Sequence, residues 1–142
     1  MQGNEIDRND DGQMVLEREL ARRLKLEKLL INVSSKAMSS VAPSDFQQAC
    51  LDALGTTLEV SRVYIFEHRH ATDTMDNTFE WTNSGIEPKK ERLQGIAADA
   101  VPWWIEQMKD GQLINFEDIE RIPSEPEKVL LRQQQIASIL VV

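Results

Sequence analysis

A single cysteine, Cys50, stands among 142 residues, so no disulfide framework exists and an oxidising compartment is not implied. Long apolar runs are missing as well. None approaches the roughly 20 residues of a membrane-spanning helix, and the first residues are acidic and polar, unlike a signal peptide. A cytoplasmic segment without membrane contact of its own is expected. Excess positive charge is also absent. The formal net charge is -8, the wrong sign for a phosphate backbone, which speaks against nucleic acid as a partner. No repeat or low-complexity block occurs. What is there, 41% hydrophobic and 28% charged residues, is ordinary for a soluble globular chain. The length suits one domain with room for a single core.

The stretch around which the chain is organised is Ser61-Arg62-Val63-Tyr64-Ile65-Phe66-Glu67. Its run of β-branched and aromatic residues reads as a central strand buried on both faces, flanked by strands and covered by helices. Residues 1–13, with Glu5, Asp7, Asp10 and Asp11 and almost nothing apolar, are expected to form a disordered acidic tail. Residues 14–38 then read as a long helix of about 36 Å, free of Gly and Pro. Within it Leu26, Leu30, Val33 and Ala37 follow the 4-3-4 spacing of a coiled-coil seam, while Leu16, Leu20 and Leu24 step by four. Two compatible readings stand: a helix lying on its own domain, or a parallel dimer helix that passes signals. Arg18, Arg22, Arg23, Lys25, Lys28 and Lys36 share this stretch with Glu17, Glu19 and Glu27, as on a solvated helix face.

The segment from Ser39 to Pro43 breaks that helix, and Ser44 with Gln47 predicts a capping box for the next. Phe46, Cys50, Ala53 and Leu54 share its apolar face, with Gly55 near the stop. Cys50 is read there as a small hydrophobe, because no His, Lys or Arg neighbours it in sequence. After the central strand, residues 68–77 form a polar hairpin tip, and Thr78-Phe79-Glu80-Trp81-Thr82 the return strand, ended by Asn83-Ser84-Gly85. A metal site can be drawn from His68, His70, Asp73 and Asp76, but no helical i,i+4 or paired-Cys spacing supports it, and a solvated tip is the favoured reading. Residues 86–100 read as a loop with a short helix. Pro102 opens a further helix through Trp103 and Trp104 that closes at Gly111. Gln112–Phe116 is a short strand, Ser124 with Glu127 starts a last helix, and residues 136–142 are strand-like.

This order of parts, with Gly85-Ile86-Glu87-Pro88, Pro102-Trp103-Trp104, Lys109-Asp110-Gly111, Ile122-Pro123 and Ser138-Ile139-Leu140-Val141-Val142, resembles a GAF domain of the kind found in bacterial sensor histidine kinases and diguanylate-cyclase-type regulators. The resemblance covers roughly residues 28–142, and the order and spacing of the motifs carry it. It implies an α+β fold, PAS-related, with an antiparallel sheet, helices on both faces and a long helix in front; residues 39–142 would be the sensory domain. Two departures are visible. The family continues past the final Val-Val with further strands and a C-terminal helix, so a fragment is expected here, with dimerisation hiding its exposed strand. The family's Gly before the last strand is Gln135 in this chain.

The resemblance further implies a pocket between the sheet and residues 86–108, lined by Tyr64 or Phe66, Trp81, Ile96, Trp103 and Trp104, for a small-molecule ligand whose identity stays unknown. The competing reading is that these aromatics fill the core. Trp103 and Trp104 stand about 100° apart on their helix, so at least one is expected to be partly exposed. Enzyme motifs are missing: no nucleophile elbow, phosphate loop or paired Cys occurs. Reductases of this family depend on several cysteines, bilin-binding relatives place theirs elsewhere, and the cyclic-nucleotide signature is not found. Haem or iron through His68 or His70 is a distant third option. Two functions are expected: a ligand-sensing domain signalling through its N-terminal helix, or a dimerisation scaffold that senses nothing.

Overall fold

A computed structural model of the chain describes residues 6–39 and 42–142. Over these residues the fold is α+β, with four α-helices and two small antiparallel sheets of three and two strands. The chain forms two compact units, Met1–Ile65 with Thr78–Glu91, and Phe66–Asn77 with Arg92–Val142.

In the first unit α1 spans Ile6–Ser39, 34 residues, or about 51 Å of helix. It starts well before Met14, so residues 6–13 of the expected tail are helical, while residues 1–5 lie outside the described residues. Among the described side chains of α1 only Leu29 is buried, with Val33 and Lys36 half-buried. α2 spans Pro43–Leu58 and contacts α1. The expected capping box does not form: Pro43, whose ring presets the helical φ, takes the first helical position behind Ala42, and Ser44 falls inside. Ser40 and Val41, within the predicted helix break, are outside the described residues.

Gly55 does not end α2 either. It lies inside the helix, which stops at Glu59 with φ +56. Its being glycine has a steric reason instead: a Cβ at Gly55 would overlap the Trp81 indole. The strand β1, Arg62–Arg69, and β2, Thr74–Thr82, form a hairpin that contributes to both units, with β3, Ile96–Ala97, on the far side of β2. So β2, not the stretch around Tyr64, is the middle strand. β1 is an edge strand and only half-buried from Arg62 to Phe66.

In the second unit the hairpin tip is shorter than predicted. β2 already begins at Thr74, because Thr74 and Met75 pair with Ala97 and Ile96 of β3, and Met75, Asp76 and Asn77 are buried. Ile96 therefore stands on a strand rather than in a short helix; 3-10 turns lie on either side at Lys90–Arg92 and Ala98–Ala100. α3 spans Pro102–Lys109, β4 Ile114–Phe116, α4 Glu125–Gln133 and β5 Ile139–Val141. β4 and β5 pair antiparallel, Ile114 with Val141 and Phe116 with Ile139, in a sheet of their own instead of joining the first. Period-2 alternation explains the outcome: Ile114, Phe116, Ile139 and Val141 share the inner face, while Asn115 and Leu140 are exposed. Ile119, Ile122 and Leu131 make the buried cluster beneath, with Trp103, Trp104, Phe116, Ile136 and Ile139 packed on it.

Both helices of this unit end alike. At Gly111, φ +64, the Gly111 N–H donates to Met108 O at 3.1 Å and Gln112 N–H to Gln107 O at 2.9 Å. At Gln135, φ +59, the Gln135 N–H donates to Arg132 O at 2.9 Å and Ile136 N–H to Leu131 O at 3.0 Å. Each is a Schellman motif, whose left-handed residue is best supplied by glycine. A glutamine there bears a Cβ penalty. Gln135→Gly should therefore raise thermal stability by up to about 1 kcal/mol, and Gly111→Ala should lower it by about the same amount; paired denaturation curves read both.

Candidate functional site

The predicted pocket residues divide between the units. Tyr64 and Trp81 belong to the first, and Phe66, Ile96, Trp103 and Trp104 to the second. All six are half-buried.

In the first unit Trp81 lies on β2 against Gly55 of α2. Gln48 of α2 donates to Glu80 O at 3.3 Å and to Asp52 at 3.1 Å, fixing the same strand to the same helix. The Glu80 carboxylate accepts the backbone N–H groups of Lys89 and Lys90 at 2.9 and 2.7 Å, which anchors the chain as it leaves the turn at Gly85. Lys90 Nζ sits 5.7 Å over the Phe79 ring, a cation–π distance. Burial pushes the Tyr64 hydroxyl above its ordinary pKa, with Arg62 acting in the opposite direction. Burial also raises the Cys50 thiol, so this half-buried cysteine disfavours its thiolate.

In the second unit Trp103 and Trp104 both reach the Ile119–Ile122–Leu131 cluster although they are successive on α3. Long indoles allow this, and each keeps an edge in solvent. Trp103 meets Phe116 edge-on at 6.1 Å. Beneath them Glu127 is fully buried, its Oε1 accepting the Trp104 backbone N–H at 3.2 Å and its Oε2 without a partner among the described residues. In sequence Ser124 with Glu127 marks the start of their own helix, but Ser124 forms no side-chain cap and Glu127 instead caps α3. Nothing in the local pattern distinguishes the two; only the fold brings Trp104 alongside.

Around the hairpin, Asp76 is buried, pairs with Arg69, and accepts the Gly95 N–H at 2.6 Å. The Gly95 N–H and the Arg69 guanidinium hold its pKa below the usual carboxylate range, against the opposing effect of burial. His68 Nε2 lies 2.8 Å from Asp73, and the His68 and His70 rings meet edge-on at 4.6 Å. Among the described residues no three His, Cys, Asp or Glu side chains are grouped to hold a metal ion. Asn77 is buried with neither side-chain amide atom paired among the described residues, and the structure offers no account of it.

Two surface hollows are present in the second unit. One, of about 410 Å³, is lined by α3 residues from Pro102 and Trp103 to Asp110; the other, of about 350 Å³, lies between Asp118–Glu120 and Arg132–Ala137. Both open broadly to solvent. Of the six predicted residues, Trp103 alone borders either. The second hollow is edged by Arg132, which binds Glu120 and Glu125 and so ties α4 to the 3-10 turn at Ile119–Arg121. Of the predicted seam on α1, Leu26, Leu30 and Ala37 are exposed and Val33 half-buried. No helix among the described residues is long and apolar enough to cross a membrane.

Compared with models of protein families and with curated proteins, the chain matches none.

Two substitutions test the packing. Gly55→Ala should destabilise the chain by about 1–3 kcal/mol, since the new methyl displaces Trp81, and the Trp fluorescence spectrum should shift with it. Glu127→Ala removes the acceptor of a part-buried backbone N–H at the start of α3 and should cost about 1–3 kcal/mol, measured by chemical denaturation.

Proposed function

We propose that the chain is a GAF-like, non-catalytic regulatory domain of a bacterial cytoplasmic signalling protein. In this reading it senses a small molecule, acts as a homodimer through α1, and passes a ligand-dependent change along α1 to an output such as a kinase or cyclase. The observation that carries the reading is α1 itself. A helix of 34 residues that buries one described side chain while exposing Leu16, Leu20, Leu24, Leu30, Ile31 and Met38 contributes little to its own unit's core. Its apolar surface suits a partner instead. The α+β architecture and the order of motifs from β1 to β5 support the GAF-like part of the proposal.

A second reading is favoured by a separate observation. Trp81 fills the space over Gly55, and Trp103 and Trp104 cover a buried cluster, so these aromatics already have occupation as packing. That suits a scaffold which holds two copies together and senses nothing.

Native mass spectrometry beside the denatured mass decides between them. Sensing predicts an excess mass on the native chain that vanishes on denaturation, or a Trp fluorescence change on screening planar metabolites. A dimer of bare chain mass, with fluorescence indifferent to the same screen, would leave the scaffold.

A further inference from the structure

We infer that α1 is covered by α1 of a second copy running antiparallel to it, the acidic half of each helix over the basic half of the other. This rests on the homodimer reading above and adds to it the face and the direction.

The face follows from exposure. At 100° per residue, Leu16, Leu20, Leu24, Ile31 and Met38 fall within an arc of about 80°, centred opposite Leu29, the buried residue of α1. All five are exposed, Met38 at 84%. Leu24, Ile31 and Met38 repeat every seven residues, the period that keeps one stripe against a partner helix. The seam predicted from Leu26, Leu30, Val33 and Ala37 lies to one side of this stripe, and Val33 is already half-buried.

The direction follows from charge. Residues 6–19 carry Asp7, Asp10, Asp11, Glu17 and Glu19 against Arg8 and Arg18, a net -3. Residues 20–39 carry Arg22, Arg23, Lys25, Lys28 and Lys36 against Glu27, a net +4. Lys25 is already engaged by Glu59 at 2.8 Å, which leaves the second half basic. A parallel, in-register pair sets like halves side by side within a Debye length, about 10 Å at 0.1 M salt. It also faces Glu27, which lies within the apolar stripe, with its own copy. Full antiparallel overlap, Ile6 opposite Ser39, sets Glu17 level with Lys28 of the other copy, both on the same flank of the stripe. The two helix dipoles then oppose rather than align. The acidic-to-basic gradient suits each helix's own dipole too, but only an antiparallel neighbour makes it complementary across the stripe.

The test is made on the full chain with Cys50→Ala as background and a spin label at Met14→Cys or Ser35→Cys. Sedimentation of the unlabelled chain first establishes the oligomeric state. Antiparallel pairing predicts same-site distances of about 26 Å for position 14 and about 38 Å for position 35 along the axis, and mixed dimers labelled at 14 on one copy and 35 on the other closer than about 15 Å. Short same-site distances at both positions would mean a parallel pair and overturn the direction while keeping the dimer. Long distances in all three samples would place the dimer contact on another face and overturn the inference. A monomer in sedimentation would remove the homodimer reading and the inference together.

Discussion

The second unit depends on one buried carboxylate. α3 begins at Pro102 behind Val101, so its first turn has no side-chain oxygen of its own to receive the exposed N–H groups, and its N-cap makes no side-chain hydrogen bond. Glu127 supplies the acceptor from α4, and its oxygen sits where the helix start concentrates partial positive charge. Trp103 and Trp104 hang from that turn, so their seating on Ile119, Ile122 and Leu131 depends on the same contact. The remaining elements close around it. β4 and β5 bring Phe116 and Ile139 to the cluster, and the left-handed turn at Gln135 brings Ile136. A buried, singly bonded carboxylate is a costly way to join two helices. Here it stands beside the Ile119–Ile122–Leu131 cluster, where a polar contact of fixed geometry specifies how the two helices pack.

Much of the fold was legible, and the misses share a cause. The start of α2 reads as Ser44 rather than Pro43, but the start of α3 at Pro102, the stop at Gly111 and the turn at Gly85 were readable, because proline and glycine act through the local backbone. Positions whose meaning is tertiary were not. Gly55 resembles a helix stop until Trp81 is placed over it. Glu127 and Gln47 both have capping-box spacing, yet neither closes a box: one helix starts on its proline, and the other gives its carboxylate to α3. Residues 74–77 look like a polar hairpin tip because Asp76 and Asn77 are polar, and only β3 with the Gly95 N–H makes burial of Asp76 acceptable. The run around Tyr64 looks like a central strand because β-branched and aromatic residues suit a sheet, but composition does not tell an edge strand from a middle one. The six predicted pocket residues were legible as half-buried apolar positions. Whether half-burial means lining or packing is a question of neighbours, which sequence does not carry.

α1 poses a different problem, a surplus of apolar surface on a helix that buries one described side chain. Two overlapping signals were present along it: a 4-3-4 seam through Leu26, Leu30, Val33 and Ala37, and the step of four through Leu16, Leu20 and Leu24. The seam looked dominant because it is the cleaner repeat. The fold inverts that order, because contact with α2 rotates the neighbourhood of Leu29 and Val33 inward and leaves the Leu16–Met38 stripe outward. A helix has one face to give its own domain, and what remains apolar on the opposite side is surface of the kind that partners cover.

A sensing role that used α1 would act chiefly through α2, the helix it packs against within its unit. The physical links within that unit are few. Trp81 presses on Gly55, α2 ends at Glu59, and Glu59 pairs with Lys25 of α1. The Lys25 pair is exposed and contributes little by itself, so the burial of Leu29 carries most of the coupling between the helices. A ligand that shifted Trp81 would move α1 only to the extent that it bound the shifted state more tightly, and a tenfold preference amounts to about 1.4 kcal/mol. Trp81 packs against α2 with no room for even one methyl group at Gly55, and the typical cost of overpacking such a contact, about 1–3 kcal/mol, is large on that scale. Small displacements of the indole are therefore resisted, and a ligand acting there would have to repack α2 as a unit rather than tilt a side chain. That stiffness serves a scaffold without modification, and it serves a sensor only if the binding event involves the whole helix.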